Sequence, residues 1–167
     1  MRAPFASFAA VLLALSVSAA TEGRQSGGRS RSAMGRHAVS PSVARALMDA
    51  IAEVESDGGA TSRNVYQLTP EYVADVNRIQ RKESRVDGVP RRAWSCCDVE
   101  DRSRSEAMMA VFWRYYSRRL PNGGTVEELA KIHHVGHRGM RTRRAAAEAY
   151  WRKVRRRMDA GSPLPSE

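Results

Sequence analysis

Three helix-start words constrain this chain more tightly than anything else in it. Ser40-Pro41 precedes "SVARALMDAIAEVES", Thr69-Pro70 precedes "EYVADVNRIQ", and Thr125 stands three residues before Glu128 in "TVEELAKI". A Ser or Thr hydroxyl accepts from an N–H that the first helical turn leaves without a partner. Proline in that turn removes only a donor that has no use there. Thr-x-x-Glu is the spacing of a reciprocal capping box. Behind the first two words apolar residues recur every three or four positions: Val43, Leu47, Ile51 and Val54, then Tyr72, Val76 and Ile79. That period puts them on one face of a helix.

Two more segments carry the same period. "RSEAMMAVFWRYYSRRL" is expected to bury Met108, Val111, Phe112 and Tyr115 before "PNGG" ends it, and "RRAAAEAYWRKVRRRM" to bury Ala147, Trp151, Val154 and Met158. The segment "RVDGVPRRAWSCCD" reads as loop. No long run alternates with period two, so "GATSRNVYQL" offers at most a short β-hairpin. The expected class is mainly α: a small helical domain.

Around that body the composition shifts. "MRAPFASFAAVLLALSVSAA" has a basic start, an apolar centre and a small-residue end, so residues 1–20 read as a signal peptide, with a retained membrane anchor as the alternative. Residues 21–39 are rich in Gly, Ser and Arg and read as a flexible basic linker, residues 40–158 as the helical domain and 159–167 as a loose tail. The expected location is secreted or periplasmic. The formal charge of +10 suits an anionic envelope surface, or serves solubility alone. Export argues against nucleic acid. The two cysteines, Cys96 and Cys97, are neighbours and cannot staple a fold; they are two free thiols or a strained vicinal bond.

Glu55 is the residue whose position carries chemistry. It follows Ile51 by four and Met48 by seven, which places it beside the buried stripe. It also falls in the last turn, where the helix dipole disfavours a negative charge. Both effects favour the protonated carboxyl and a raised pKa. An acid that keeps its proton near neutral pH is what general-acid cleavage of a glycosidic bond requires.

The words "AIAEVES", "VYQLTPEYVADVNRI", "SEAMMAVFWRYYSRRL", "ELAKIHHVGHRGM" and "AAAEAYWRKV" follow in order over about residues 43–156. Together they resemble the invertebrate-type (destabilase) lysozymes and their bacterial and phage relatives. The scarcity of cysteine is nearer the bacterial and phage branch. The resemblance implies a small lysozyme-like domain and a catalytic acid in the "VES" word, Glu55, with Ser56 beside it as a substrate-binding residue. It also implies a sugar cleft lined by Tyr66, Gln67 and the 133–139 loop, with His133, His134, Gly136, Arg138 and Gly139 among its binding residues.

This chain departs from that pattern at two places. The turn after Glu55 is short and holds only Asp57 as a second carboxylate, whereas a retaining pair stands about 5 Å apart across the sugar. Asp75 on the next helix is the weaker alternative. The loop "HHVGHRG" has His134, Val135 and His137 where the family has Asn, Gly and Pro. His133 and His137 are four apart, but Gly136 interrupts the helix and no third ligand is evident, so no metal and no cofactor are expected. Trp113, Tyr115, Tyr116, Tyr150 and Trp151 read as core rather than sugar platforms.

The resemblance thus implies a peptidoglycan-cleaving glycosidase, a lysozyme or a lytic transglycosylase, acting on peptidoglycan or a related amino-sugar glycan. The alternative is a catalytically silent module that binds peptidoglycan or an envelope partner. The protein is expected to be a monomer.

Overall fold

A computed structural model describes residues 39–56 and 63–161. It is mainly α. The helices are α1 (Pro41–Glu55), α2 (Pro70–Asp87), α3 (Arg102–Ser117), α4 (Val126–Thr142) and α5 (Arg144–Gly161), with a short 3-10 turn at Cys96–Glu100. No strand occurs among the described residues; of "GATSRNVYQL", residues 63–68 form bends, a turn and irregular chain, and residues 59–62 lie outside the described residues. The signal, most of the linker and Asp57 lie outside the described residues.

Each expected start word works as its chemistry demands. The hydroxyls of Ser40 and Thr69 accept from the N–H groups of Val43 and Tyr72, and both prolines sit in the first turn. Thr125 and Glu128 form the reciprocal capping box. Gly88, left-handed at φ 70°, ends α2. That helix therefore takes in Arg85–Asp87, which read as loop. At the other end of the chain α5 continues to Gly161, three residues into the expected loose tail.

α4 occupies the centre. It packs against α1, α3 and α5; α5 also packs on α1, and α2 on α3. Its first half is accordingly buried nearly all round, from Glu128 to His133. Lys131 survives there by pairing with Glu127 and Glu148. Burial opposes its charge, but the two carboxylates outweigh it and hold the ammonium above its usual range. Leu47, Ile51, Val76, Ile79, Met108, Met109, Ile132 and Val154 are fully enclosed in one core.

α3 buries a wider face than its periodicity suggested. Met108, Met109, Phe112, Trp113 and Tyr116 are inside, whereas Val111 and Tyr115 are half-exposed. The helix lies between α2 and α4, so its apolar stripe must serve two neighbours. Trp113, Tyr116 and Tyr150 are core, and Trp151 is half-buried.

The long link from α2 to α3 is pinned by polar side chains. Asn77 gives its amide to the Trp94 carbonyl and takes the Trp94 N–H, both at 2.8 Å. Asp98, buried, accepts from the Ser95 N–H at 2.7 Å and pairs with Arg92 and Arg104. The Ser95 N–H, helped by those arginines and opposed by burial, holds its carboxyl below the usual range. Cys96 and Cys97 are exposed free thiols in this turn. No helix among the described residues is long and apolar enough to cross a membrane.

Glu128 does more than cap. Its carboxylate, buried, accepts from the N–H groups of Asn122, Gly124 and Thr125 and from the Asn122 side chain, at 3.1–3.2 Å. Glu128→Ala should strand those donors and destabilise the fold by about 3 kcal/mol. Urea unfolding checks this, and Glu128→Gln should lose less, because its carbonyl oxygen keeps part of the set.

Candidate functional site

The stripe of α1 that buries Leu47, Met48, Ile51 and Ala52 ends on Glu55, one turn beyond Ile51. Its side chain keeps 18% of its exposure. The Ser56 N–H and hydroxyl both bond the Ala52 carbonyl, closing the helix there. Glu55 thus stands at the negative end of the α1 dipole. It faces a cleft of about 980 Å³ between α1, α2, α3 and α4.

Two rings share its surroundings. His134 places Nδ1 3.9 Å from Glu55 Oε1 and lies flat on Tyr150, with centroids 4.2 Å apart and 3° between planes. Burial, together with the charges of Arg143 and Lys153, lowers the His134 pKa, so the ring is neutral at pH 7. Burial first, and then the negative charge of Glu55, push the Tyr150 phenol far above its ordinary range. Neutral, proton-bearing groups therefore surround the Glu55 carboxyl on this side.

The opposite part of the cleft is built from α2 and α3. Tyr116 donates to Asp75 Oδ2 at 2.7 Å, Arg78 Nε donates to Asp75 Oδ1 at 2.8 Å, and Arg78 Nη2 donates to the Tyr116 hydroxyl at 3.0 Å. Burial, then Asp75, raise the Tyr116 phenol to about 12. His137 stacks on Tyr116 at 4.9 Å. The floor is Tyr72 stacked on Phe112 at 4.4 Å, with the edge of His133 against Tyr72.

Gly136 makes this possible. It takes φ 68° and ψ 171° in the middle of α4, a backbone conformation essentially reserved for glycine. His134 lines the cleft just before the break, and Gly136, His137 and Arg138 line it from the break onward. Gly139 has a different duty: a Cβ there would lie 2.7 Å from the Val135 Cβ, so it permits the close return of the chain and does not line the cleft.

The "YQL" word divides in the same way. Tyr66, expected on the cleft, is fully buried; its hydroxyl donates to Glu106 Oε1 at 2.7 Å, and Glu106 in turn holds Arg45 and Arg102. Leu68 is clamped by the Asn64 carboxamide at its N–H and carbonyl, at 3.0 and 2.9 Å. Between these anchors Gln67 is exposed, lines the cleft and sits at φ 50°. A left-handed residue other than glycine is strain that the two anchors impose.

Of the expected residues, the structure brings Glu55, Gln67, His133, His134, Gly136 and Arg138 to one cleft. Tyr66, Ser56 and Gly139 are supports instead. His133 lines the floor but is only 9% exposed. Tyr72, expected only on the apolar stripe of α2, Asp75, expected as the weaker second carboxylate, and Arg78, for which nothing was expected, join the cleft from α2. Among the described residues, no group of three His, Cys, Asp or Glu could hold a metal ion.

Two predictions follow from this geometry. Burial holds His133 neutral, with a pKa lowered to about 4 against an unfolded value near 6.5. The unfolded chain then binds the extra proton first, so stability is full above pH 6.5 and falls as pH drops from 6.5 to 4. The loss should reach about 3 kcal/mol in unfolding titrations and largely vanish in His133→Gln. Gln67→Gly should relieve the left-handed strain and raise stability by about 0.5–1 kcal/mol in thermal or urea unfolding. Compared with protein-family models, curated proteins and solved structures, the chain matches none of them.

Proposed function

We propose that the chain is a glycosidase that cleaves peptidoglycan or a related amino-sugar glycan, with Glu55 as the general acid and then the base. The observation that carries this reading is the place of Glu55: a largely enclosed carboxyl at a helix C-terminus, on the wall of a cleft of about 980 Å³. Removal from water and the dipole end both favour the form that can donate a proton. Of the groups beside it, His134 is neutral at pH 7, while the Tyr150 hydroxyl and the nearby charges of Lys153 and Arg143 act the other way, toward the carboxylate.

On binding, a glycan strand would lie along the cleft with its scissile oxygen at Glu55. Glu55 gives its proton to the leaving oxygen as the bond breaks, and takes one back from water or from a hydroxyl of the sugar itself. The first acceptor makes a lysozyme and the second a lytic transglycosylase. Of the two other carboxylates lining the cleft, Glu71 is exposed in the first turn of α2, and Asp75 is engaged by Arg78 and Tyr116 and is suited to holding that wall in place. On this reading Glu55 carries the acid chemistry without a second catalytic carboxylate.

That engagement of Asp75 also favours a second reading, a module that holds the glycan without cutting it. The two separate on one substitution. Glu55→Gln should retain the fold and melting behaviour and lower the lysis of purified cell walls about 100-fold or more. Unchanged lysis would remove Glu55 from the chemistry. Co-sedimentation with walls, without lysis by the unaltered protein, would support the binding module.

A further inference from the structure

The last turn of α1 has two faces. Glu55 looks into the cleft, while its neighbours Glu53 and Val54 form one wall of a second hollow of about 450 Å³. The other wall is α5, which contributes Lys153, Arg156, Arg157 and Ala160. Arg157 lies 3.9 Å from Glu53, and Arg155, outside the hollow, is 3.7 Å from Asp159. Lys153 and Arg156 have no carboxylate within ion-pair distance among the described residues, so the hollow keeps a surplus of positive charge.

This charge is not remote from the cleft. Lys153 and Arg143 together act on His134, the ring beside Glu55. Exposed Arg141, Arg143, Arg144, Arg152 and Arg155 extend the same sign along the end of α4 and α5. Guanidinium groups offer the planar fork that matches a carboxylate in two places at once. No large apolar side chain is exposed on α4 or α5 to anchor the surface in a bilayer. Trp151 is half-buried, which leaves α5 no open aromatic platform for nucleic-acid bases.

We propose that the hollow of Lys153, Arg156 and Arg157 against the last turn of α1 is an accessory subsite for a carboxylate-bearing branch of the glycan strand that occupies the cleft. It rests on the glycan reading of the cleft, and gives it a substrate class: strands whose repeats carry free acidic side branches, such as peptide stems, rather than neutral glycan. The branch carboxylate sits between Lys153 and Arg156, on the α5 side of the α1 turn whose other face carries Glu55.

The test uses Glu55→Gln protein, so that strands are not consumed, and solubilised peptidoglycan strands with stem carboxylates either free or amidated. Amidation should weaken binding at low salt at least 5-fold. Adding the exposed substitutions K153Q and R156Q should weaken binding to free strands by a similar factor and abolish the sensitivity to amidation. Equal binding of free and amidated strands would overturn the subsite, as would a K153Q/R156Q protein that stays fully sensitive. Tighter binding of duplex DNA or of anionic lipid vesicles through the same two cations would overturn it in favour of those partners. Carboxylate-dependent binding by the Glu55→Gln protein, with no product release by the unaltered protein, would sink the glycosidase reading alone; product release by the unaltered protein with carboxylate-blind binding would sink the subsite alone.

Discussion

Everything about this cleft depends on the break in α4 at Gly136. The helix before it runs through the middle of the bundle, where Leu129, Ala130, Ile132 and the paired Lys131 are buried. A continuous helix would carry that packing straight on. The glycine, at φ 68° and ψ 171°, instead turns the chain, with His134 just before it and His137 and Arg138 after it lining the open space in front of Glu55. Gly139 then allows the helix to resume close against Val135. Two glycines with different physical reasons thus create the wall, and neither has to touch a ligand.

The rest of the cleft is held by long-range polar anchors. Glu106 gathers Tyr66, Arg45 and Arg102, and so ties α1, the "YQL" turn and α3 together. Burial opposes its charge, yet Arg45, Tyr66 and Arg102 together hold its carboxyl below the usual range. The strain at Gln67 is sustained by that anchor on one side and by Asn64 on the other. Asp75, Arg78 and Tyr116 lock the facing wall. Between these two rigid parts Glu55 meets rings that carry no charge at pH 7.

The local chemistry was legible in the residues. Ser40, Thr69 and the Thr125–Glu128 box announce three helix starts, Gly136 announces the interruption, and the spacing Met48–Ile51–Glu55 puts the acid beside a buried face. What was not legible depends on distant partners. Nothing near Tyr66 says that its hydroxyl will find Glu106, 40 positions on, and so leave the cleft to Gln67. Likewise α3 has the period of one stripe but serves two neighbours, so Trp113 and Tyr116 are inside as read, whereas Val111 and Tyr115, also expected inside, stay half-exposed. Asp75 has the spacing of a surface residue on α2; only the approach of Tyr116 from α3 makes it part of a wall.

The central claim is that Glu55 donates a proton to a glycosidic oxygen. It is tested most directly by mass spectrometry of the soluble material released from purified peptidoglycan by the unaltered protein. Disaccharide-containing fragments are expected, ending either in a reducing sugar or in an anhydro sugar according to which acceptor Glu55 serves. Intact, insoluble peptidoglycan after prolonged incubation with folded protein would contradict it.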